Sequence, residues 1–444
     1  MASSIDTETT GSATPPSQRI EALDFVRGAA LFGILLINII GFGLPQAYFN
    51  PLNAGGAAGA DLWTWIVVAI GFEGTQRALF SILFGAGVIL FTSRLEAAAR
   101  SDAADLYLRR SLWLIAFGCV NSFGLLWTGD ILYFYGIAGL FLYVFRTMAA
   151  RHLLTIGIAA LLAGAAWNAK ETSDVLAAWR AYQPAAAAQA AGATLTEAQT
   201  GAIAAWQQTD RLRQADPAAI AAEVEAKTSG YWPAMQYLAT ENMRVQSWFL
   251  YRYFSDIFGM MMIGMALFKF GVLTLDRPTR LYWAMLGGGY AVGLATNIAE
   301  VSWILRHGFG TVAFAQAEIS YDLGRLGMTA GHLGALLLFV RSGALPRFRR
   351  ALAAVGRMAF TNYLAQSVIC GIIFIGFGQF GALQRHELYY VVLAICLAQL
   401  IVSPIWLRHY RFGPVEWLWR WLTYLKRPPF RHGSAIAARP AAAL

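Results

Sequence analysis

The sequence predicts an all-α polytopic membrane helix bundle of about ten transmembrane helices, with both termini cytoplasmic. Three observations carry that expectation. Of 444 residues, 57% are hydrophobic and 13% charged, with a mean hydropathy of +0.50. Several continuous apolar runs reach the ~20 residues that span a bilayer as a helix. Arg and Lys gather in alternate connections, as expected where those connections stay in the cytoplasm. This composition excludes a soluble globular domain, and continuous runs exclude an outer-membrane barrel built on ten-residue alternation.

The spans are expected at 24–43, 62–92, 108–126, 129–148, 151–168, 246–269, 280–304, 320–341, 358–379 and 387–408. Residues 1–18 are polar and Ser/Thr-rich with no basic start, so they read as a disordered cytoplasmic tail, not a cleavable signal. The first span opens with Asp24 and Arg27, three residues apart and therefore on one helical face. The second is long enough to tilt, or to begin as an interfacial helix at Trp63 and Trp65. Arg94, Arg100, Arg109 and Arg110 separate spans two and three, and Arg146 and Arg151 separate four and five. Lys269, Arg277 and Arg280 follow span six, and Arg341, Arg347, Arg349, Arg350 and Arg357 follow span eight. Ten spans place all of these on the side of the termini, which is therefore the cytoplasm. The net charge of +9 then follows topology, and no nucleic-acid partner is expected.

The organisation reads as five helices (19–169), an Ala-rich extracytoplasmic helical insert (170–245), five more helices (246–410) and a cytoplasmic tail (411–444). Within the insert, Pro184, Pro217 and Pro233 should punctuate short helices. It is either a spacer between halves or a lid over an outward cavity, with the spacer slightly favoured. In the tail, Trp417, Trp419, Trp421 and neighbouring basic residues suit a helix in the inner headgroup region.

Polar residues at membrane depth are the candidates for chemistry, because an unpaired charge there costs roughly 2.5–3.5 kcal/mol on insertion scales. Glu73 and Arg77 are four apart and expected to pair, as are Arg252 with Asp256; Asp322 is expected to pair with Arg325. Asp130 opens span four, where a helix N-terminus favours a carboxylate. His332 falls near the middle of span eight, where a neutral imidazole can act as a general base or simply be a hydrogen-bonded structural residue. Cys119, Cys370 and Cys396 lie in apolar runs and read as small buried residues. No His/Cys/carboxylate spacing suggests a metal.

Several motifs resemble the YeiB family of bacterial inner-membrane proteins, which is defined by a domain of unknown function. They are Leu23-Asp24 with Arg27-Gly28, Gly33 and Asn38; Phe72-Glu73-Gly74 with Leu79 to Gly87; Arg109-Arg110; Gly129-Asp130-Ile131-Leu132 with Tyr135-Gly136; Val355-Gly356-Arg357 with Thr361-Asn362-Tyr363; and Phe412-Gly413-Pro414-Val415-Glu416-Trp417. That family is distantly similar to membrane acyltransferases of the heparan-glucosaminide acetyltransferase type. The resemblance implies transfer of an acyl group from cytoplasmic acyl-CoA, such as acetyl-CoA, to an outward-facing small-molecule or glycan acceptor. Arg27, Arg109 and Arg110 would hold the cofactor, and Glu73, Asp130 or His332 would serve catalysis. The sequence departs from those acetyltransferases between Gly41 and Asp61, where it carries no histidine. A transporter of a small metabolite or lipid, and a non-catalytic scaffold, are the alternatives. Membrane lipids are expected neighbours, and a homodimer is left open.

Overall fold

The computed structural model describes residues 16–45, 50–54, 56–211 and 216–432. The described residues form seventeen α-helices: α1 (Pro16–Gly43), α2 (Gly59–Gly71), α3 (Thr75–Ala97), α4 (Ala103–Cys119), α5 (Leu132–Leu142), α6 (Ala150–Ala190), α7 (Glu197–Arg211), α8 (Pro217–Thr228), α9 (Tyr231–Arg244), α10 (Leu250–Lys269), α11 (Thr279–Arg306), α12 (Thr311–Ala317), α13 (Tyr321–Ser342), α14 (Pro346–Arg357), α15 (Ala359–Gly371), α16 (Leu388–His409) and α17 (Pro414–Tyr424). Three π-helical turns, at Val120–Gly124, Val245–Phe249 and Ile372–Gly376, extend α4, join α9 to α10 and extend α15. Among the described residues there is no strand, only an isolated bridge between Tyr410 and Arg431.

Among the described residues, six segments are long and apolar enough to cross a membrane: Glu21–Gly43, Gly59–Ala97, Ala150–Ala190, Tyr321–Ser342, Ala359–Gly376 and Leu388–His409. Helices α4, α5, α10 and α11 occupy the other expected intervals. Of these, α5 belongs to a shorter apolar helix, Leu132–Phe145. Helix α10 carries Arg252, Asp256 and Lys269 within 20 residues. The tail expected at 1–18 falls mostly outside the described residues.

Small residues let these helices meet backbone to backbone, which is how helices associate where water exclusion no longer drives them. A Cβ on Gly356 of α14 would sit 1.8 Å from the Asp24 carbonyl oxygen of α1, and one on Gly28 of α1 would sit 2.2 Å from that of Leu352. Gly85 of α3 and Gly264 of α10 meet the facing Met261 and Ile82 carbonyls in the same way. Helices α11 and α13 cross through Gly289, Gly293, Gly327 and Gly331. Around α1 lie α3, α13, α14, α15 and α16, with Leu31, Leu35 and Ile39 fully buried between them.

The structure departs from the expected layout in three places. The second span is not one helix: the chain breaks at Phe72–Gly74, where Gly74 takes φ +68°, and α3 starts afresh at Thr75. No boundary falls at 169, since α6 runs on to Ala190 and contains Pro184 near its end. Pro217 does start a helix, at the first turn of α8, where its missing N–H is no loss. The insert is also more than a spacer, because α9 docks on the bundle. Asn242 Nδ2 donates to the Ser122 carbonyl at 2.6 Å, and Tyr231 Oη donates to that of Gly124 at 2.9 Å.

Candidate functional site

Polar side chains collect at three places, two towards the insert end of the bundle and one at the end carrying α14 and α17. Asp130, just before α5, is 3% exposed. Its Oδ1 accepts from Asn121 Nδ2 at 2.8 Å and from Tyr363 Oη at 3.5 Å; its Oδ2 accepts from the Tyr133 backbone N–H at 2.9 Å. Asn121 reaches it from the π-turn that ends α4. Such turns are rare and frequent at functional sites. Gly118, one turn earlier, leaves the room: a Cβ there would lie 2.8 Å from Asp130 Oδ2. Beside this cage a narrow, largely apolar cleft runs between Phe42, Trp127, Thr128 and Phe374, covered by Lys227 and Leu238 of the insert. Lys227 pairs with Glu223 at 2.7 Å and lies over the Phe380 ring; burial pushes its ammonium below the ordinary lysine value, against the pull of Glu223.

The second place is a charge cluster joining α3, α10 and α13. Arg325 is 2% exposed and donates to Asp256 at 2.5 Å and to Asp322 at 2.8 Å. Arg77 reaches the other Asp256 oxygen at 3.4 Å. The expected Asp322–Arg325 pair is present. The other two expected pairs are not the ones that form. The break at Phe72–Gly74 removes Glu73 from the helix of Arg77, so their spacing of four no longer places them on one face. Arg77 turns to Asp256 instead, and Glu73 is exposed at the break. Arg252 bonds to Glu171 Oε2 at 2.9 Å and to Asn168, leaving Asp256 for α13. Tyr135 reaches back towards this cluster, with its hydroxyl 2.7 Å from Ser81 Oγ and donating to the Arg77 carbonyl at 3.2 Å.

His332 stands apart from both. Its Nδ1 lies 2.7 Å from the Met328 carbonyl, and the ring sits between Phe72 and Tyr290. Glu73, Asp130 and His332 thus occupy three separate environments, and only Asp130 is caged by side chains from other helices.

At the opposite end, Asp24 and Arg27 pair at 2.7 Å, as expected. Arg94 and Arg357 also bear electrostatically on Asp24, while Arg27 and Arg420 bear on Arg110. Arg110 lies over the Trp419 ring, 3.8 Å from its centroid, and 4.9 Å from the centroid of Phe91. Arg109 is differently placed: it is held by Asp105 and donates to the Thr423 carbonyl at 3.0 Å. The arginine basin is therefore Arg27, Arg94, Arg110, Arg357 and Arg420, with Arg109 committed to fastening α17.

Residues 267–426 match the family described as a protein of unknown function (DUF418). Over 422 residues the chain is 32% identical to the uncharacterized protein YeiB of Escherichia coli (strain K12), covering 91% of this chain and 96% of that one. The chain belongs to the YeiB family. It is also 27% identical over 440 residues to the uncharacterized protein YxaH of Bacillus subtilis (strain 168), covering 94% and 97% of the two chains. No solved structure matches.

The motifs that resemble the YeiB family meet in space, two by two. Gly28 and Gly356 form the α1–α14 crossing. Tyr363 closes the cage of Asp130. Glu416 accepts two backbone N–H groups in the first turn of α15, from Phe360 at 2.8 Å and Thr361 at 3.0 Å, and the Thr361 hydroxyl at 2.5 Å. Gln76 fills the notch over Gly33, where a Cβ would lie 2.2 Å from its Oε1. The pairing of Asp256 with Arg325 was hidden in the sequence because 69 residues separate them. The only signal was that each is a charge at membrane depth.

Proposed function

We propose that this integral membrane protein is an acyltransferase of the bacterial inner membrane. It takes an acyl group from cytoplasmic acyl-CoA and passes it to a small-molecule or glycan acceptor on the outer side. In this reading ten helices cross the bilayer, the α14–α17 end and both termini are cytoplasmic, and the insert is extracytoplasmic. One observation carries the proposal: a single helix, α4, has the arginine basin at one end and the Asp130 cage at the other. Arg110 and Asn121 are eleven residues apart, which is about 16 Å along a helix axis.

The basin fits a polyphosphate in charge. Among the described residues, five guanidinium groups share one hydrogen-bonded carboxylate, Asp24, and Arg110 lies over Trp419 with no carboxylate bonded to it. Arg27, Arg110, Arg357 and Arg420 would hold the cofactor's phosphates, arginine being suited to them by its fixed fork of donors. When bound, acyl-CoA supplies the acyl group and a thiol leaving group that ends with the acceptor's proton. Asp130 takes that proton from an acceptor hydroxyl or amine at its carboxylate, while Asn121, Tyr363 and the Tyr133 N–H keep the carboxylate aimed. Glu73, exposed at the helix break, and His332, bonded to its own helix, are weaker claimants to the role.

Purified protein in liposomes with labelled acetyl-CoA and a broad acceptor panel tests the reaction. Absence of both CoA binding and transfer refutes it. One feature favours a second reading, transport of a small metabolite. The break between α2 and α3 beside buried charges is the arrangement of a discontinuous transporter helix. Accumulation in sealed vesicles that is lost in Glu73→Gln, without acyl transfer, would establish that reading instead.

A further inference from the structure

The Asp130 cage is shut in this structure. Asp130 is 3% exposed, and the cleft beside it is too narrow to admit an acceptor. The cover of that cleft is Lys227 of α8 and Leu238 of α9, and these two helices rest on the bundle through the three π-turns. Helix α9 packs on Val120–Gly124 and Ile372–Gly376 and runs directly into Val245–Phe249, and α8 also packs on Ile372–Gly376. The turn Val120–Gly124 serves both the cage and its cover. Its Asn121 side chain donates to Asp130. Its Ser122 accepts from Asn242 Nδ2 at the carbonyl and from Gln246 Nε2 at the hydroxyl, and its Gly124 carbonyl accepts from Tyr231. Docking of α9 therefore fixes the turn that aims Asp130.

The seam between cover and bundle is lightly held. Its apolar patch is small: Leu126 with Ala234 and Leu238, flanked by Met235 and Ile375. Regions with few buried apolar contacts open most readily. Lys227 and Arg244 are each paired with a carboxylate of their own helix, Glu223 and Glu241, so those pairs travel with the cover. A π-turn is also a place where a helix bends, and one of them attaches α9 to α10.

We infer that α8 and α9 form a lid that lifts from the π-turns to open the approach to Asp130 and, on docking, sets Asn121 against the carboxylate. The inference rests on the transfer reading only for what enters; the lifting stands without it.

The test uses the full chain in nanodiscs with Cys119→Ala and Cys396→Ala. Cys370, which lines the cleft and is fully buried, is then the reporter. A water-soluble maleimide should label it slowly, as read by peptide mass spectrometry. Asn242→Ala with Gln246→Ala removes two docking bonds and should speed that labelling at least tenfold in a chain that still elutes as folded protein. Thr228→Cys with Gly378→Cys should lock the lid, since a Cβ on Gly378 would lie 4.0 Å from that of Thr228, within disulfide range. The oxidised chain should label at Cys370 at least tenfold more slowly than the same chain after reduction and removal of the reductant. Gly378 takes φ +64°, so if the double-cysteine chain fails to fold, the Asn242 and Gln246 comparison decides alone. No acceleration in the loosened chain, or a locked chain that labels as fast as the reduced one, would overturn the inference. Acyl transfer measured in the same samples separates the two readings. Lid motion without transfer in any sample refutes the reaction and leaves the lid. Transfer undiminished in the locked chain refutes the lid as the way to Asp130 and leaves the reaction.

Discussion

Replacing Glu416 with alanine should loosen the bundle at the start of α15, although the two segments lie more than fifty residues apart in the chain. The Glu416 carboxylate takes the second and third backbone N–H groups of α15, from Phe360 and Thr361, and the Thr361 hydroxyl. The first N–H groups of any helix lack partners within it, and here a side chain from another helix supplies them. Glu416→Ala strands both backbone donors. Each costs about 1–3 kcal/mol if left unpaired, and water reaching this partly buried site recovers some of that, so the loss should be about 3 kcal/mol. With ~2.1 cal/mol/K of unfolding entropy per residue over a chain this long, that corresponds to roughly 3 °C in melting temperature. Glu416→Gln keeps one oxygen facing both N–H groups and should lose less than half as much. Burial raises the Glu416 carboxyl above its ordinary value of 4.5, against the hydrogen bonds that lower it. A raised acid stabilises the fold below pH 4.5, and that contribution disappears as pH rises through the folded value. The unaltered protein should therefore lose ground to Glu416→Gln as pH increases from 4.5. Thermal melting by fluorescence-detected size exclusion measures all three. An alanine variant within 1 °C of the unaltered protein would refute the capping argument.

Gly356→Val should prevent recovery of folded protein, since even a Cβ would lie 1.8 Å from the Asp24 carbonyl and neither backbone can move aside; a normal melting profile would contradict it. Arg325→Met removes the partner of two carboxylates and should cost about 3–5 kcal/mol, visible as a large fall in melting temperature. Asp130→Asn should keep the fold but lower acyl transfer by ~10²–10⁴-fold, the usual span for a lost general base; an unchanged rate in the liposome assay would remove Asp130 from the mechanism. Arg357→Ala should weaken CoA binding by calorimetry more than Arg109→Ala does, because Arg109 is occupied by Asp105 and Thr423; the opposite order would exclude the basin as drawn.

Sequence alone determined that this chain is a helical membrane protein of the YeiB type. Apolar length and loop arginines are properties of the chain itself, set by bilayer thickness and not by packing. It also determined the short-range pairs that lie on continuous helices, Asp24–Arg27 and Asp322–Arg325. Tertiary structure decided the rest. Glu73 and Arg77 have the right spacing for a pair, but a left-handed glycine between them ends the helix and sends each elsewhere. Asp256, Arg77 and Arg325 share no local pattern, and only the crossing of α3, α10 and α13 brings them together. The arginine basin required α14 and α17 to fold beneath α1 and α4, which also drew Arg109 out of it. A periodic pattern shows which face of a helix is apolar. Which distant helix covers that face depends on small residues that permit close approach, and those are read only in pairs.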